Sequence, residues 1–208
     1  MTPASIRALE VLRSGSLFQW YVIPLFALVV YVYAVEVERR NLSLVLAGLT
    51  VSGIDWSLEI ANALFLKLTG YAAVWTEVGP TAYQIFVGLN IETFFMFAIM
   101  GIVFGKMLPP KDVRILGFPN RPFLVVANSL FCVLVEVVLN RLGYLVWAYS
   151  WWNLPNVSLI VIVGYSLYFV GAYYVIDVPE TSKKVRVPAI IWAANVVATV
   201  VLVAAGWI

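Results

Sequence analysis

The chain contains no histidine and only one cysteine among its 208 residues. Without histidine it cannot form the histidine clusters of membrane di-iron oxygenases, and it cannot bind haem through that residue. The single Cys132 cannot form an internal disulfide, and a structural zinc site of cysteine and histidine is excluded. The chain also lacks the glycine motifs that bind phosphates or dinucleotides and the Gly-x-Ser-x-Gly turn that carries a nucleophilic serine. It has no aspartate-rich motif of the kind that binds a metal and a diphosphate. We therefore predict no metal site and no cofactor.

Charge is also scarce, because only 12% of the residues are Asp, Glu, Lys or Arg, whereas 63% are hydrophobic. The mean hydropathy is +0.96. A soluble domain of this size would expose far too much apolar surface to water, so the composition predicts a multi-pass integral membrane protein. The net charge is only +2 and no long basic run occurs, which argues against a nucleic-acid partner.

Six apolar segments are each long enough to cross about 30 Å of hydrocarbon. The sequence therefore predicts an all-α fold, a single domain over residues 1–208 that forms a bundle of six transmembrane helices. The predicted spans are 17–36, 43–66, 82–105, 122–146, 157–176 and 187–207. No small-residue cleavage pattern precedes the first apolar run, so we interpret it as a retained helix.

Basic residues are unevenly distributed about these spans. Nine lie in or beside the turns after the first, third and fifth spans, and four lie on the opposite side. The nine are Arg39, Arg40, Lys106, Lys111, Arg114, Arg121, Lys183, Lys184 and Arg186, and the four are Arg7, Arg13, Lys67 and Arg141. Since Lys and Arg are enriched in cytoplasmic turns, we expect both termini to be extracytoplasmic.

Four carboxylates lie near the middle of apolar segments. They are Asp55, Glu59, Glu92 and Glu136. A charge at the bilayer centre costs at least about 2.5–3.5 kcal/mol, so such groups are expected to face one another or a polar cavity. Carboxyl groups in one dry pocket cannot all ionise cheaply, so at least one should hold a proton at neutral pH while another stays anionic. Such a pair can supply the acid and the base of proton-initiated chemistry.

Other polar residues share helix faces with these acids. The sets with three- or four-residue spacing are Ser52, Asp55, Glu59 and Asn62; Gln84, Gly88 and Glu92; and Asn128, Cys132, Glu136 and Asn140. Lipid cannot solvate these groups, so the three stripes should point inward and meet. For the amides, hydrogen bonding between helices without a further role is the alternative interpretation.

A weak internal repeat connects two of the stripes. Glu59 and Asn62 are followed by Gly70-Tyr71 and Trp75, and Glu136 and Asn140 are followed by Gly143-Tyr144 and Trp147. The order Glu, Asn, Gly-Tyr, Trp recurs on two helices that run in the same direction, although the spacings differ by one helical turn. The repeat favours a paired site. The later cluster of Trp147, Tyr149, Trp151 and Trp152 is either part of an interfacial aromatic belt or a cap over a cavity.

Trp56-Ser-Leu-Glu59, and Glu136 with the following Asn140, resemble the pattern of small integral-membrane terpene cyclases. This group includes the fungal meroterpenoid cyclases and the membrane-type lycopene cyclases, and the resemblance covers the second to fourth spans. It implies that Glu59 or Asp55 protonates an isoprenoid and that Glu92 or Glu136 removes the final proton. It also implies substrate contacts from Trp56, Asn62, Asn140, Tyr165, Tyr168 and Trp192, whose aromatic members would stabilise a carbocation.

Two other classes of function remain open. Intramembrane acids also relay protons or bind cations in carriers, so the chain could be a small proton- or cation-coupled transporter. It could equally be a non-catalytic subunit of a membrane complex. The expected partners are membrane lipid and a hydrophobic isoprenoid-type substrate, with a second copy or another membrane subunit as a further possibility.

Overall fold

The computed structural model describes all residues from Met1 to Ile208. It contains a helix at each of the six apolar segments and one short helix before them. The helices are α1 (Pro3–Glu10), α2 (Val22–Glu38), α3 (Leu42–Thr69), α4 (Ile91–Lys106), α5 (Asn120–Arg141), α6 (Ser166–Asp177) and α7 (Thr181–Ala204). A π-helical segment, Ile160–Tyr165, leads directly into α6.

Short strands connect the helices at both ends of the bundle. They are β1 (Trp75–Glu77), β2 (Gln84–Phe86), β3 (Leu89–Asn90), β4 (Arg114–Ile115), β5 (Phe118–Pro119) and β6 (Leu145–Trp147). All three pairings, β1–β6, β2–β3 and β4–β5, are antiparallel. The β1–β6 ladder joins two connections that are far apart in sequence, and the other two are local hairpins.

The bundle has two chemically different ends. The terminal end carries residues 1–21, 70–90, 142–159 and 205–208, and there the Thr2 amide donates to the Tyr71 carbonyl while Lys67 Nζ donates to the Gly206 carbonyl. The basic end carries the turns at residues 39–41, 107–119 and 178–180. Both chain termini therefore lie at the same end, as the count of predicted helices requires.

Helix α3 is the centre of the fold and packs against α4, α6 and α7. Small residues allow the close approach. A Cβ atom added to Gly101 of α4 would lie 2.5 Å from the Ala47 carbonyl oxygen of α3, and one added to Gly171 of α6 would lie 2.6 Å from the Ile54 side chain. By contrast, α5 and α7 leave most of their apolar surface exposed, as expected of helices in contact with lipid.

The six predicted spans are not confirmed. Four helices are long and apolar enough to cross a membrane, and they are Leu42–Thr69, Asn120–Arg141, Ile160–Asp177 and Thr181–Ala204. The other two predicted spans correspond to α2, with 17 residues, and α4, with 16 residues. At 1.5 Å per residue these helices are only about 24–26 Å long.

Backbone hydrogen bonding explains the shortening of α4. The predicted span 82–105 begins with the β2–β3 hairpin, and α4 starts only at Ile91, where the Asn90 side chain accepts from the Thr93 amide as an N-cap. Gln84 and Gly88 therefore do not share a helix face with Glu92. Similarly, the predicted span 122–146 ends early because α5 stops at Arg141 and Gly143 adopts a positive φ of 79° before β6.

Candidate functional site

A cavity of about 370 Å³ lies inside the terminal half of the bundle, and we call it the chamber. Four carboxylates from three elements line it: Asp55 and Glu59 of α3, Glu136 of α5 and Glu77 of β1. Asp55 and Glu59 are almost completely buried, with exposures of 1% and 3%. The structure thus brings three of the four predicted acids together and adds a fourth that sequence reasoning missed.

Three of these acids have the same hydrogen-bonding pattern. Tyr168 Oη donates to Asp55 Oδ1 at 3.1 Å, Trp75 Nε1 donates to Glu59 Oε1 at 2.6 Å, and Tyr165 Oη donates to Glu136 Oε1 at 3.0 Å. In each case the second carboxyl oxygen is buried and has no hydrogen-bond partner in the protein. Each acid is therefore held by one aromatic donor and keeps one oxygen for a proton or a ligand.

The two asparagines of the repeated Glu–Asn–Gly–Trp pattern hold the strands that cover the chamber. The Asn62 amide nitrogen donates to the Trp75 carbonyl at 2.8 Å, and the Asn140 amide nitrogen donates to the Leu145 carbonyl at 2.9 Å. Each asparagine thus fastens one strand of the β1–β6 ladder to the helix that carries a chamber acid. Within the ladder Trp75 is paired directly with Trp147.

Glu77 reaches the chamber from the ladder. Its Oε2 accepts from the Asn90 amide at 2.6 Å, and its Oε1 accepts from the Thr93 hydroxyl at 2.7 Å. Burial raises the pKa of Glu77 to about 8, although these hydrogen bonds favour the ionised form. The sequence signal for this residue is slight: on a strand, Glu77 shares a face with Trp75 two residues earlier, but nothing in the sequence indicates a strand that folds back over the bundle.

Aromatic rings form much of the chamber wall. Trp75 and Trp152 stack with their ring centroids 5.6 Å apart, and Phe97 lies 4.9 Å from Tyr168 and 6.3 Å from Tyr165 by the same measure. The π-helical segment before α6 ends at Tyr165, and π-helical turns are common at functional sites. The wall therefore presents π faces beside the carboxyl groups, which suits a cationic species.

Glu92, which was predicted as a catalytic acid, lies outside the chamber lining. It is near the N-terminus of α4, where its Oε1 accepts from the Tyr21 hydroxyl and the Ala82 amide and its Oε2 accepts from the Thr81 hydroxyl. Both oxygens therefore hold the segment before β2 against α4.

Four predicted substrate contacts also lie away from the chamber lining. Trp56 Nε1 donates to Thr199 Oγ1, and Trp192 Nε1 donates to the Leu49 carbonyl. Their rings are 5.7 Å apart in a separate aromatic cluster between α3 and α7. Asn62 and Asn140 hold the strands as described above. Of the six predicted contacts, Tyr165 and Tyr168 line the chamber.

The chamber opens sideways between α4 and α5. Met96 of α4 and Val135 of α5 line it, yet 48% of Met96 and 39% of Val135 are exposed on the outer surface. The gap is bounded towards the basic end by Phe104 and Phe131, whose ring centroids are 6.5 Å apart. Towards the terminal end the exposed part of the lining continues to Tyr144, whose carbonyl accepts from the Val78 amide. This side of the bundle faces the region that hydrocarbon would occupy.

These features define an integral membrane protein with several apolar helices and an acid-lined chamber. The chain belongs to a family described as an uncharacterized membrane protein family, whose model matches residues 2–204. An Archaeoglobus fulgidus protein described as an uncharacterized protein is 45% identical over 201 residues, which cover 96% of this chain and 95% of that protein. No solved structure matches the chain. The membrane assignment is thus established, whereas no likeness to terpene cyclases is shown.

Proposed function

We propose that the protein is an integral-membrane enzyme that catalyses proton-initiated cyclisation or isomerisation of an isoprenoid lipid in the chamber. The observation that carries this proposal is the convergence of carboxyl groups with free oxygens on one cavity walled by aromatic rings. Amides or apolar residues would hold the helices together at lower energetic cost than buried acids. Because burying these acids costs free energy that helix packing does not require, their presence favours a chemical role.

The chemistry balances without a further reactant. A protonated Asp55 or Glu59 transfers its proton to one carbon of a double bond, and the neighbouring carbon becomes cationic. The rings of Phe97, Tyr165 and Tyr168 stabilise that charge by cation–π attraction. Loss of a proton from another carbon to Glu136 then restores a double bond. The product is an isomer of the substrate, with a new ring if a second double bond attacks the cation.

The sideways opening supports a substrate that is dissolved in the membrane. A polyunsaturated chain can move between Met96 and Val135 without leaving hydrocarbon, so it avoids the free-energy cost of passing through water. Exclusion of water also protects the cation from premature capture.

Transport is the competing proposal, and it requires access to the chamber from both ends. Towards the basic end, α3 and α4 are in backbone contact at Gly48 and Gly101, and Phe104 packs against Phe169 with ring centroids 5.1 Å apart. This close packing favours chemistry within the chamber over passage through it.

The test is lipid analysis of cells that accumulate linear isoprenoids, with and without the protein, grown in H₂O, followed by incubation of their isolated membranes with the unlabelled linear lipid in D₂O. We expect an isomeric lipid that carries one deuterium on carbon where the proton was added. In Glu59→Gln and Glu136→Gln its yield should fall at least about 100-fold, the usual contribution of a general acid or base. Glu180→Gln, which alters an exposed carboxylate paired with Lys183 at the basic end, is the matched control.

Equal membrane levels of all four proteins are required for the comparison. Unchanged lipids together with proton-dependent solute uptake would replace the enzyme proposal with the transport proposal. A product whose yield in both chamber variants equals that of the wild type would show that these acids do not carry the reaction.

A further inference from the structure

A second cavity, of about 520 Å³, lies at the terminal end next to β1, and we call it the vestibule. Its lining includes the polar residues Arg7, Gln19, Tyr21, Thr81 and Gln84. These residues belong to α1, the segment before α2, the loop before β2 and the start of β2, all of which lie outside the apolar helices. The vestibule therefore has the composition of a water-accessible site.

Three residues line both the vestibule and the chamber. They are Glu77, Gly79 and Pro80. The partition between the polar vestibule and the acid-lined chamber is therefore a single short segment of chain. Glu77 is the only member of this partition whose side chain can bind and release a proton.

We propose that Glu77 exchanges protons between the vestibule and the chamber, and so supplies the buried acids with protons from water at the terminal end. The proposal concerns the chamber acids whatever their substrate, and it does not require the cyclisation or isomerisation to be correct. It assigns to the β1–β6 ladder a role beyond covering the chamber.

The surroundings of Glu77 suit this role. Its carboxyl oxygens are anchored by the Asn90 amide and the Thr93 hydroxyl, so the group stays in the partition, and each oxygen keeps a lone pair that can accept a proton. The ionisable groups about it are Asp55, Glu59 and Glu136 in the chamber and Arg7 and Tyr21 in the vestibule, with Glu92 nearby. Since its pKa is raised to about 8 by burial, Glu77 can change protonation near neutral pH.

The experiment measures how fast the buried carboxyl groups exchange their protons. Purified protein in lipid nanodiscs is transferred from H₂O to D₂O, and infrared spectroscopy follows the shift of the carboxylic C=O band. We expect Glu77→Gln to slow the exchange at least about tenfold, which corresponds to about 1.4 kcal/mol in the barrier. Glu77→Asp keeps a carboxyl group and should restore most of the rate. Glu10→Gln, which removes an exposed carboxylate of α1, should exchange as the wild type does.

Wild-type protein provides a test that does not depend on the folding of a variant. A water-soluble carbodiimide with an amine nucleophile should modify Glu77 before the three chamber acids, as peptide mass spectrometry would show, and the modified protein should exchange slowly. The proposal is overturned if exchange keeps its wild-type rate after Glu77 is substituted or modified. Because no substrate is involved, such a failure would leave the enzyme proposal to its own test.

Discussion

The chamber acids are each oriented by one aromatic hydrogen-bond donor. A tyrosine or tryptophan holds one oxygen of Asp55, Glu59 and Glu136, and the second oxygen has no protein partner. A fixed carboxyl group with one committed oxygen presents the other in a defined direction, which is the geometry that proton transfer needs. Glu92 differs because both of its carboxyl oxygens accept hydrogen bonds from neighbouring residues, so it holds the segment before β2 against α4.

Glu77 should make the stability of the protein depend on pH. In the unfolded chain this group ionises near its ordinary value of 4.5, whereas in the folded protein burial raises its pKa to about 8. Between these values the folded state binds more protons than the unfolded state, so the free energy of unfolding falls as pH rises and levels off above about 8. We expect the loss due to Glu77 to be about 1–3 kcal/mol, because Glu77 also borders the water-accessible vestibule, which screens its charge.

The measurement is thermal unfolding in detergent between pH 5 and pH 9, for the wild type and for Glu77→Gln. The variant has no group that titrates at this position, so its stability should change less with pH. Identical pH profiles for the two proteins would show that Glu77 titrates in the same way folded and unfolded.

At the scale of elements, α3 and α4 depend on glycine for their contact. A Cβ atom at Gly101 would lie within 2.9 Å of three backbone atoms of α3, which cannot move aside as a flexible side chain could. We therefore expect Gly101→Ala to destabilise the bundle by about 1–3 kcal/mol through overpacking, despite the greater helix propensity of alanine.

Thermal unfolding in detergent would measure this effect, with Gly15→Ala as the control. Gly15 has no neighbouring atom within 4 Å of its added Cβ and no positive φ, so its substitution should have little effect. Equal unfolding temperatures for both variants would indicate that α3 and α4 can move apart without lowering the free energy of unfolding. The close packing would then not be a source of stability.

The positions of the helices could be predicted from hydropathy, but several of their ends could not. Apolar composition alone extends the third span back to residue 82, because a buried hairpin such as Gln84–Asn90 is as apolar as a helix. The observed helix ends differ from the predicted ones because of long-range contacts. β1 pairs with β6 across about 70 residues, and Asn62 and Asn140 hold the two strands. Pairing of this kind leaves no periodic signal in the sequence.

At the scale of the whole molecule, the two ends should lie on opposite sides of the membrane, with the basic end in the cytoplasm. In a Cys132→Ser background, a cysteine at exposed Ser16 marks the terminal end and one at exposed Lys183 marks the basic end. A membrane-impermeant maleimide added to intact cells should label Ser16→Cys and spare Lys183→Cys until the cells are opened. The reverse pattern would invert the orientation, and equal labelling of both would contradict a crossing between them.

The gathering of three acids at the candidate site could be predicted for a physical reason. Asp55, Glu59 and Glu136 are conspicuous because acids are rare among apolar residues, and polar side chains in such segments gather in the interior. Glu77 was missed because a glutamate in a connecting segment is ordinary, and Trp56 and Trp192 were assigned to the site because residue type alone does not tell one aromatic cluster from another. Which cluster faces the acids depends on how α3 rotates against α6 and α7, and that is a property of the packed bundle.

The β1–β6 ladder over the chamber restricts the routes by which a molecule can enter or leave it. Its two strands come from separate stretches of chain, and each is tied by an asparagine to the helix beneath it. Because the cover is fastened on both sides, opening it would break both asparagine hydrogen bonds and the strand pairing together. A bulky molecule that passes instead through the flank between α4 and α5, where Met96 and Val135 are exposed, would leave the ladder intact.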